Sequence, residues 1–537
     1  MWAQAPKPRL VVVVSYDQYR GDYPPQFARF ASSRGFERIR REGTVFANAA
    51  YNHASLMTGP GHATILSGMY PYRNGIVANN FCDARLQRCL YCAEDTSHGL
   101  SAATMLVPTL GDRLRRLDPR HKNVGIALKD RAAILMAGMS ATTALWFDEA
   151  AGGFTTSSAY RKPAWLPGLN TRLPFTAYQG RTWRAGLADS LDPAIDDVMG
   201  EGTMSSGRRS FPHRMPMASD SEQYVADFVR SPYSVEYLFA AAVETIRRDA
   251  LGADSIADVL AIGVSTTDFL GHTFGPDSRE VQELYRACDT ILASFIDALD
   301  TLVGRTHYVL VVTSDHGVAP IPEVIRNAAE AQGTTIDAGR IRQATLRRAV
   351  DSALTHRYGG PDSFWVERIL EPALYLDTAL CQRRNIDIDS AAAYAAAALL
   401  ALQGMEAALP SAQLSQDVCP EGLSLEHFAR IKRSFRPDRC GHVVLFPKRY
   451  WIVGSTPATH GTYHDYDRSV PLMFFGGGVG HATVNDAASP VDIAPTLGRL
   501  LGLSELFASD EADGVAWPLV NNENGSSLEK DEPSDVD

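Results

Sequence analysis

The chain has 537 residues, 45% hydrophobic and 21% charged, which is enough apolar material for one large core or two ordinary ones and excludes a disordered or collagen-like chain. Its net charge of -11, from 51 basic and 62 acidic residues, gives it no overall attraction for a nucleic-acid backbone. No apolar run approaches the ~18 residues of a membrane-crossing helix, and Ala391 to Leu400, short and Ala-rich, predicts a soluble helix.

At the N-terminus, Ala3-x-Ala5 matches the small-residue cleavage pattern of a signal peptide, so Met1 to Pro6 reads as a remaining stub and the protein as periplasmic or secreted. Leu10 to Ser15 (LVVVVS) is a β-branched apolar run ending at Asp17 and predicts a buried strand of a parallel sheet. Met57 to Gly68 (MTGPGHATILSG) reads as a loop feeding a helix, with Pro60 at N1 and Thr58 at or just before the N-terminus. Free N–H groups and the helix dipole there would favour a phosphate. Cys89-x-x-Cys92 has no partner CxxC at zinc-ribbon spacing, so disulfides fit better in an exported protein. Seven cysteines leave at least one thiol over.

Val124 to Leu128 predicts a second strand, running into Lys129-Asp130-Arg131. On extended backbone Lys129 and Arg131 would project to one side together. Residues 145–230 carry aromatics, Gly and Pro with weak periodicity and read as an insertion. Helical patterns over Val235 to Asp249 and Val281 to Leu299 then alternate with strands over Val259 to Ser265, ending near Asp268, and Tyr308 to Thr313, ending at Asp315. Residues 326–440, with basic and Ala-rich helices, read as a second insertion, and both insertions are expected to cap the sheet. In the last core part, 441–520, His460 sits in a Thr-His-Gly loop and Val470 to Phe475 runs into Gly476-Gly477-Gly478. Ser489-Pro490-Val491-Asp492 opens a helix that Gly502 closes. The polar, acidic residues 521–537 read as a disordered tail. The core thus falls in three parts, 8–144, 231–325 and 441–520, forming an α/β fold with a mostly parallel central sheet flanked by helices.

In open α/β sheets ligands bind beyond the carboxyl ends of the strands, and there the chemistry-bearing residues gather. Asp268 and His272 lie four apart, on one face of a helical turn. Asp315 and His316 follow a strand directly, Asp17 ends the first strand and His460 lies in a loop. Three carboxylates and three imidazoles form a mixed N/O donor set that suits zinc, and two such sites can hold ions ~4 Å apart. Thr58 is then a candidate nucleophile, because a hydroxyl needs a cation or a base to become reactive.

An aspartate after the first strand, TGPGHATILSGMYPYRNGIVANN, TxDFLGH, SDHG and a late histidine, in that order, resemble the alkaline phosphatase superfamily. The similarity is to its threonine-nucleophile branch, comprising nucleotide pyrophosphatase/phosphodiesterases and PafA-type alkaline phosphatases. It spans about residues 8 to 135, 255 to 320 and 455 to 505. It implies an alkaline-phosphatase-like sandwich holding two Zn2+. One site would be Asp268, His272 and His460, and the other Asp17, Asp315 and His316, with Thr58 bridging to the second. It also implies in-line attack by Thr58, a phospho-threonine that water hydrolyses, and Asn79 (Asn80 being its neighbouring candidate) hydrogen-bonded to a phosphate oxygen.

Lys129 and Arg131 resemble the Lys/Arg pair of PafA-type monoesterases. A monoester dianion concentrates more charge on its non-bridging oxygens than a diester, and two cations match it. The expected substrates are therefore small phosphate monoesters, with phosphodiesters the nearest alternative. Gly59-Pro60 departs from both the diesterase TFPN and the monoesterase TAVG. No C-x-P-x-R or S-x-P-x-R segment supports a sulfatase, and the serine nucleophile of cofactor-independent phosphoglycerate mutase has no match. An inactive binding module on the same scaffold is the reading from another class; a competent residue at every carried-over position argues against it. The oligomeric state is left open.

Overall fold

A computed structural model of the chain describes residues 7–186, 196–360, 363–508 and 510–519. The expected signal-peptide stub and acidic tail lie outside them. The strands used below, in chain order, are β1 (Leu10–Tyr16), β2 (Thr44–Ala49), β3 (Asn80–Asp83), β4 (Arg88–Tyr91), β5 (Asn123–Ala127), β6 (Thr143–Asp148), β7 (Gly153–Thr155), β8 (Asp258–Val264) and β9 (Tyr308–Thr313). They continue as β10 (Val366–Leu370), β11 (Ala373–Leu376), β12 (Met405–Pro410), β13 (Val443–Pro447), β14 (Met473–Gly476) and β15 (Ala482–Ala488). The helices used below are α1 (Thr58–Ser67), α2 (Asp130–Ala137), α3 (Pro232–Arg248), α4 (Thr266–Phe274), α5 (Arg279–Leu302), α6 (Gln343–Tyr358), α7 (Ile388–Leu400) and α8 (Ile493–Leu500).

Nine strands form one sheet in the order β15-β2-β14-β9-β1-β8-β5-β6-β7. Its centre, β9-β1-β8-β5-β6, is parallel throughout. β1 sits in the middle and is buried on both faces, which explains an uninterrupted apolar run in place of alternation. Val12 and Val14 join Val235, Leu238, Leu284 and Leu292 of α3 and α5, while Val11 and Val13 meet Ile65 and Leu66 of α1 and Leu497 of α8. Each such fully buried side chain contributes about 1.5–3 kcal/mol relative to exposure. The strand expected over Val470 to Phe475 is β14, which runs antiparallel to both neighbours. Its carboxyl end, with the Gly476 to Gly478 run, therefore points away from the edge where the parallel strands end. α8 starts as the sequence indicates: Ser489 and Asp492 close a capping box over a 3-10 turn, and Gly502 follows the helix at φ +71°.

The insertions differ from each other. The boundary at 145 falls inside β6, which with β7 completes the central sheet. Beyond it, Phe175, Trp183, Tyr224 and Phe228 pack into the core shared with α3 and α5. Aromatics without a periodicity of their own are buried here against an existing core, so this stretch thickens one side of the sandwich. Among the described residues it contributes nothing to the cleft over the strand ends. The second insertion has its own core. An antiparallel sheet, β10-β11-β13-β12, packs on α6 through Leu346, Val350 and Leu354 and on α7 through Ala391, Ala395 and Leu399. β13 belongs to this unit, so it continues past the expected boundary at 440. No described helix is long and apolar enough to cross a membrane.

Candidate active site

Four adjacent parallel strands deliver their carboxyl ends to one place. β9 leads to Asp315 and His316, β1 to Asp17, β8 to α4 with Asp268 and His272, and β5 to Lys129 and Arg131. Thr58 is the first residue of α1, and Asn79 and His460 arrive on loops. Gly61 lets α1 settle on the Asp315 backbone, since a Cβ there would lie 2.3 Å from the Asp315 carbonyl oxygen.

The carboxylates and imidazoles converge. His316 Nε2 lies 3.4 Å from Asp17 Oδ1 and 3.3 Å from Asp315 Oδ2. All three atoms are buried with no hydrogen-bond partner, which is costly unless a further group satisfies them. Asp268 Oδ1 lies 3.1 Å from His272 Nε2 and 3.5 Å from His460 Nε2. Among the described residues, the compact donor groups able to hold a metal are Asp17/Asp315/His316 and Asp268/His316/His460, each with ligand atoms within 4.8 Å of one another. The first matches the expected trio. The second differs from it: His316 stands between the groups, its ring 3.6 Å from that of His460, and His272 sits on the more exposed flank of Asp268.

Each imidazole is oriented by its other nitrogen. Nδ1 of His272, His316 and His460 meets the carbonyl oxygen of Ala458, Gly317 and Leu56 at 2.8, 2.9 and 2.8 Å. A carbonyl can only accept, so each Nδ1 carries the proton and each Nε2 lone pair is turned inward, as metal-ligating histidines require. Burial lowers the pKa of His316 to about 3 and also lowers that of His460, keeping both rings neutral. Burial, then Asp268 and Asp315, push the Asp17 carboxyl well above its ordinary range. Against the same burial, His272 and Lys129 hold Asp268 well below it. Three buried aspartates and three imidazoles with Nε2 turned inward are a fitting donor set for divalent cations.

Lys129 Nζ lies 2.7 Å from Asp17 Oδ2, 2.5 Å from Asp268 Oδ2 and 3.4 Å from Thr58 Oγ1. Arg131 reaches the same Thr58 Oγ1 at 3.5 Å. The backbone that brings the two cations together is not the extended one expected. β5 stops at Ala127, Lys129 is the N-cap of α2, and Arg131 is in its first turn. Asp130 is an acid suited to a helix start, so the chain turns helical there. Thr58 likewise lies inside α1, with Met57 as N-cap. The first-turn N–H groups expected to bind an anion are partly engaged: Gly59 N–H goes to Asn79 Oδ1 at 2.8 Å, Gly61 N–H goes to the Met57 carbonyl, and Pro60 has none. The Gly59 bond fixes the Asn79 amide with its NH2 available as donor. Asn80 is exposed beside it. A Cβ at Gly59 would lie 3.0 Å from Asn79 Oδ1 and 3.1 Å from Cys92 Sγ. This accounts for glycine following the threonine.

Several contributors carry no sequence signal of their own. The Tyr91 hydroxyl donates to Asp130 Oδ1 at 2.5 Å and accepts from Arg131 Nη1 at 3.3 Å. It is carried by the β3–β4 hairpin, which the Cys82–Cys89 disulfide closes; Cys92, of the CxxC, is a buried free thiol. Gln18, at φ +66°, donates through its amide to Asp268 Oδ1 and through its backbone N–H to Asp315 Oδ1. Left-handed backbone at a non-glycine residue costs energy and is concentrated at functional sites. His62 Nδ1 lies 2.9 Å from the Thr58 carbonyl and 3.1 Å from Asp315 Oδ2, a link that only the TxxxH spacing hints at.

The sequence profile of the type I phosphodiesterase / nucleotide pyrophosphatase family matches residues 11–467. Alkaline phosphatase PhoK of Sphingomonas sp is 31% identical, over 97% of this chain and 93% of that protein. Alkaline phosphatase PhoV of Synechococcus elongatus is 29% identical over 93% and 91%. The crystal structure of wild-type alkaline phosphatase PafA superposes with a TM-score of 0.85 at 26% identity, covering 93% of this chain and 96% of that one.

Proposed function

The chain belongs to the type I phosphodiesterase / nucleotide pyrophosphatase family, and within it we propose that the protein is a metal-dependent alkaline phosphatase that hydrolyses phosphate monoesters. The alkaline phosphatases among its relatives support that reading. The observation that carries it is the meeting of the Lys129 ammonium and the Arg131 guanidinium on one hydroxyl, Thr58 Oγ1. A phosphoryl group joined to that oxygen would have two cations and the Asn79 amide around its non-bridging oxygens, which suits a dianion.

Asp17, Asp315 and His316 would hold one divalent cation, and Asp268, His272 and His460 the other, with zinc the ion that fits the N/O donors. Bound there, the ions would supply Lewis-acid charge and lower the pKa of a hydroxyl. Thr58 Oγ forms a bond to phosphorus as the ester oxygen leaves on the opposite side. Water then cleaves the phospho-threonine, releasing phosphate and restoring the hydroxyl. Lys129 and Arg131 stabilise the charge on the equatorial oxygens in both steps, and Tyr91 keeps Arg131 aimed. The disulfide fits an oxidising compartment, in keeping with a periplasmic or secreted enzyme.

The test compares kcat/KM for 4-nitrophenyl phosphate and methyl 4-nitrophenyl phosphate on the purified enzyme. The monoester is expected to be the better substrate; a higher value for the diester would assign the protein to the diesterase side of its family. Chelation is expected to abolish both activities, and added zinc to restore them.

A further inference from the structure

A cleft of about 350 Å³ opens beside Met57, the residue before Thr58. One wall is the core, with Met57, Asn79 and His460. The facing wall is the second insertion, with Gln343, Leu370 and Glu371. Thr58 itself is buried, so a phosphoryl group engaged with it directs its ester oxygen outward. In-line displacement places the leaving group opposite the nucleophile, and the cleft is where that group has room to lie.

Among the described residues no lysine or arginine lines this cleft, and its one carboxylate is Glu371. Glu371 is also held in place. It lies in the two-residue turn between β10 and β11, whose flanking residues Leu370 and Ala373 pair across the hairpin. The carbonyl of Pro372, next in the turn, accepts from Leu445 N–H at 2.8 Å. The side chain is fixed as well, since Gln343 Nε2 donates to Glu371 Oε1 at 2.7 Å. The lower part of the site is thus cationic at Lys129 and Arg131, and its outer wall carries a fixed negative charge.

We propose that Glu371 sorts leaving groups by charge. The cleft accepts phosphate monoesters of neutral or ammonium-bearing alcohols and discriminates against alcohols that carry a further anion, whether a carboxylate or a second phosphate. The inference rests on the monoesterase reading above. A like charge on the wall of the same cleft disfavours binding, and an ammonium there is favoured. Leucine and isoleucine beside Glu371 add apolar contact for the carbon skeleton without selecting for charge.

The experiment measures kcat/KM for phosphoethanolamine, glycerol 1-phosphate and phosphoglycolate with wild type and Glu371→Gln. Glutamine keeps an acceptor for Gln343 and removes the charge. The ratio of phosphoglycolate to phosphoethanolamine should rise on the order of tenfold or more in Glu371→Gln, with glycerol 1-phosphate changing by less than about threefold. In wild type the same ratio should rise with ionic strength, because salt screens exposed charge, and in Glu371→Gln it should respond less. An unchanged ratio in Glu371→Gln would overturn the proposal, as would an equal salt response in the two proteins. The comparison of 4-nitrophenyl phosphate with its methyl diester separates this outcome from failure of the parent reading. If wild type prefers the monoester and the ratio is unmoved in Glu371→Gln, only the charge-sorting role is lost. If wild type prefers the diester, the parent reading falls as well.

Discussion

The lower part of the site hangs from four adjacent strands of the central sheet, whereas its outer wall is a hairpin turn of an inserted sheet with a core of its own. In the lower part, buried donors face one another at 2.5–3.5 Å, and shifting one perturbs several. The wall touches the cleft through a few side chains on a separately packed unit. Chemistry common to every substrate belongs where placement is rigid, and discrimination belongs where a change is tolerated without disturbing the rest.

That contrast can be broken experimentally. Thr58→Ala should cost at least about a thousandfold in kcat for every phosphate ester while leaving metal content unchanged by elemental analysis. Loss of the metal would mean that nucleophile and donors are a single unit. Arg131→Ala should lower kcat/KM for 4-nitrophenyl phosphate by on the order of a hundredfold and for the methyl diester by clearly less. Equal losses would remove the charge-matching role. Tyr91→Phe should cost the monoester about tenfold or less, and should add little in the Arg131→Ala background, because its contribution passes through the guanidinium. Additive losses would give Tyr91 a role of its own.

What the sequence discloses divides along the same line. β1, β8 and β9 were legible because buried parallel strands are written as apolar runs, and Asp17 and Asp315 stand just beyond such runs. Asp268 and His272 were legible from helical spacing. Lys129 and Arg131 were legible as a pair, but on the wrong backbone, because the acid that starts α2 sits between them and reads equally well as an extended residue. The partners that orient these groups were not legible. His460 finds its carbonyl 404 residues away, and Gln18 meets Asp315 across 297. Local pattern carries no trace of contacts at that separation. The first insertion gave no sign that it completes the central sheet, since β7 is three residues long, too short to show periodicity. Glu371 was hidden for another reason: a glutamate before a proline in a hairpin turn looks like any solvated loop residue.

The β3–β4 hairpin places Asn79 and Tyr91 at its two feet. Asn80 pairs with Tyr91, Cys92 N–H bonds back to the Asn79 carbonyl, and the disulfide crosses two rungs further out. The aspartates and histidines beyond β1, β8 and β9 lie on other elements than the hairpin that carries this covalent tie. In protein made in a reducing cytosol, the residues proposed to hold the ions are therefore expected to stay in register while the proposed phosphate contacts of Asn79 and Arg131 slacken. Such material is expected to pass a metal assay and still misreport which esters the disulfide-bonded protein prefers, so the compartment of expression belongs among the variables of any specificity measurement.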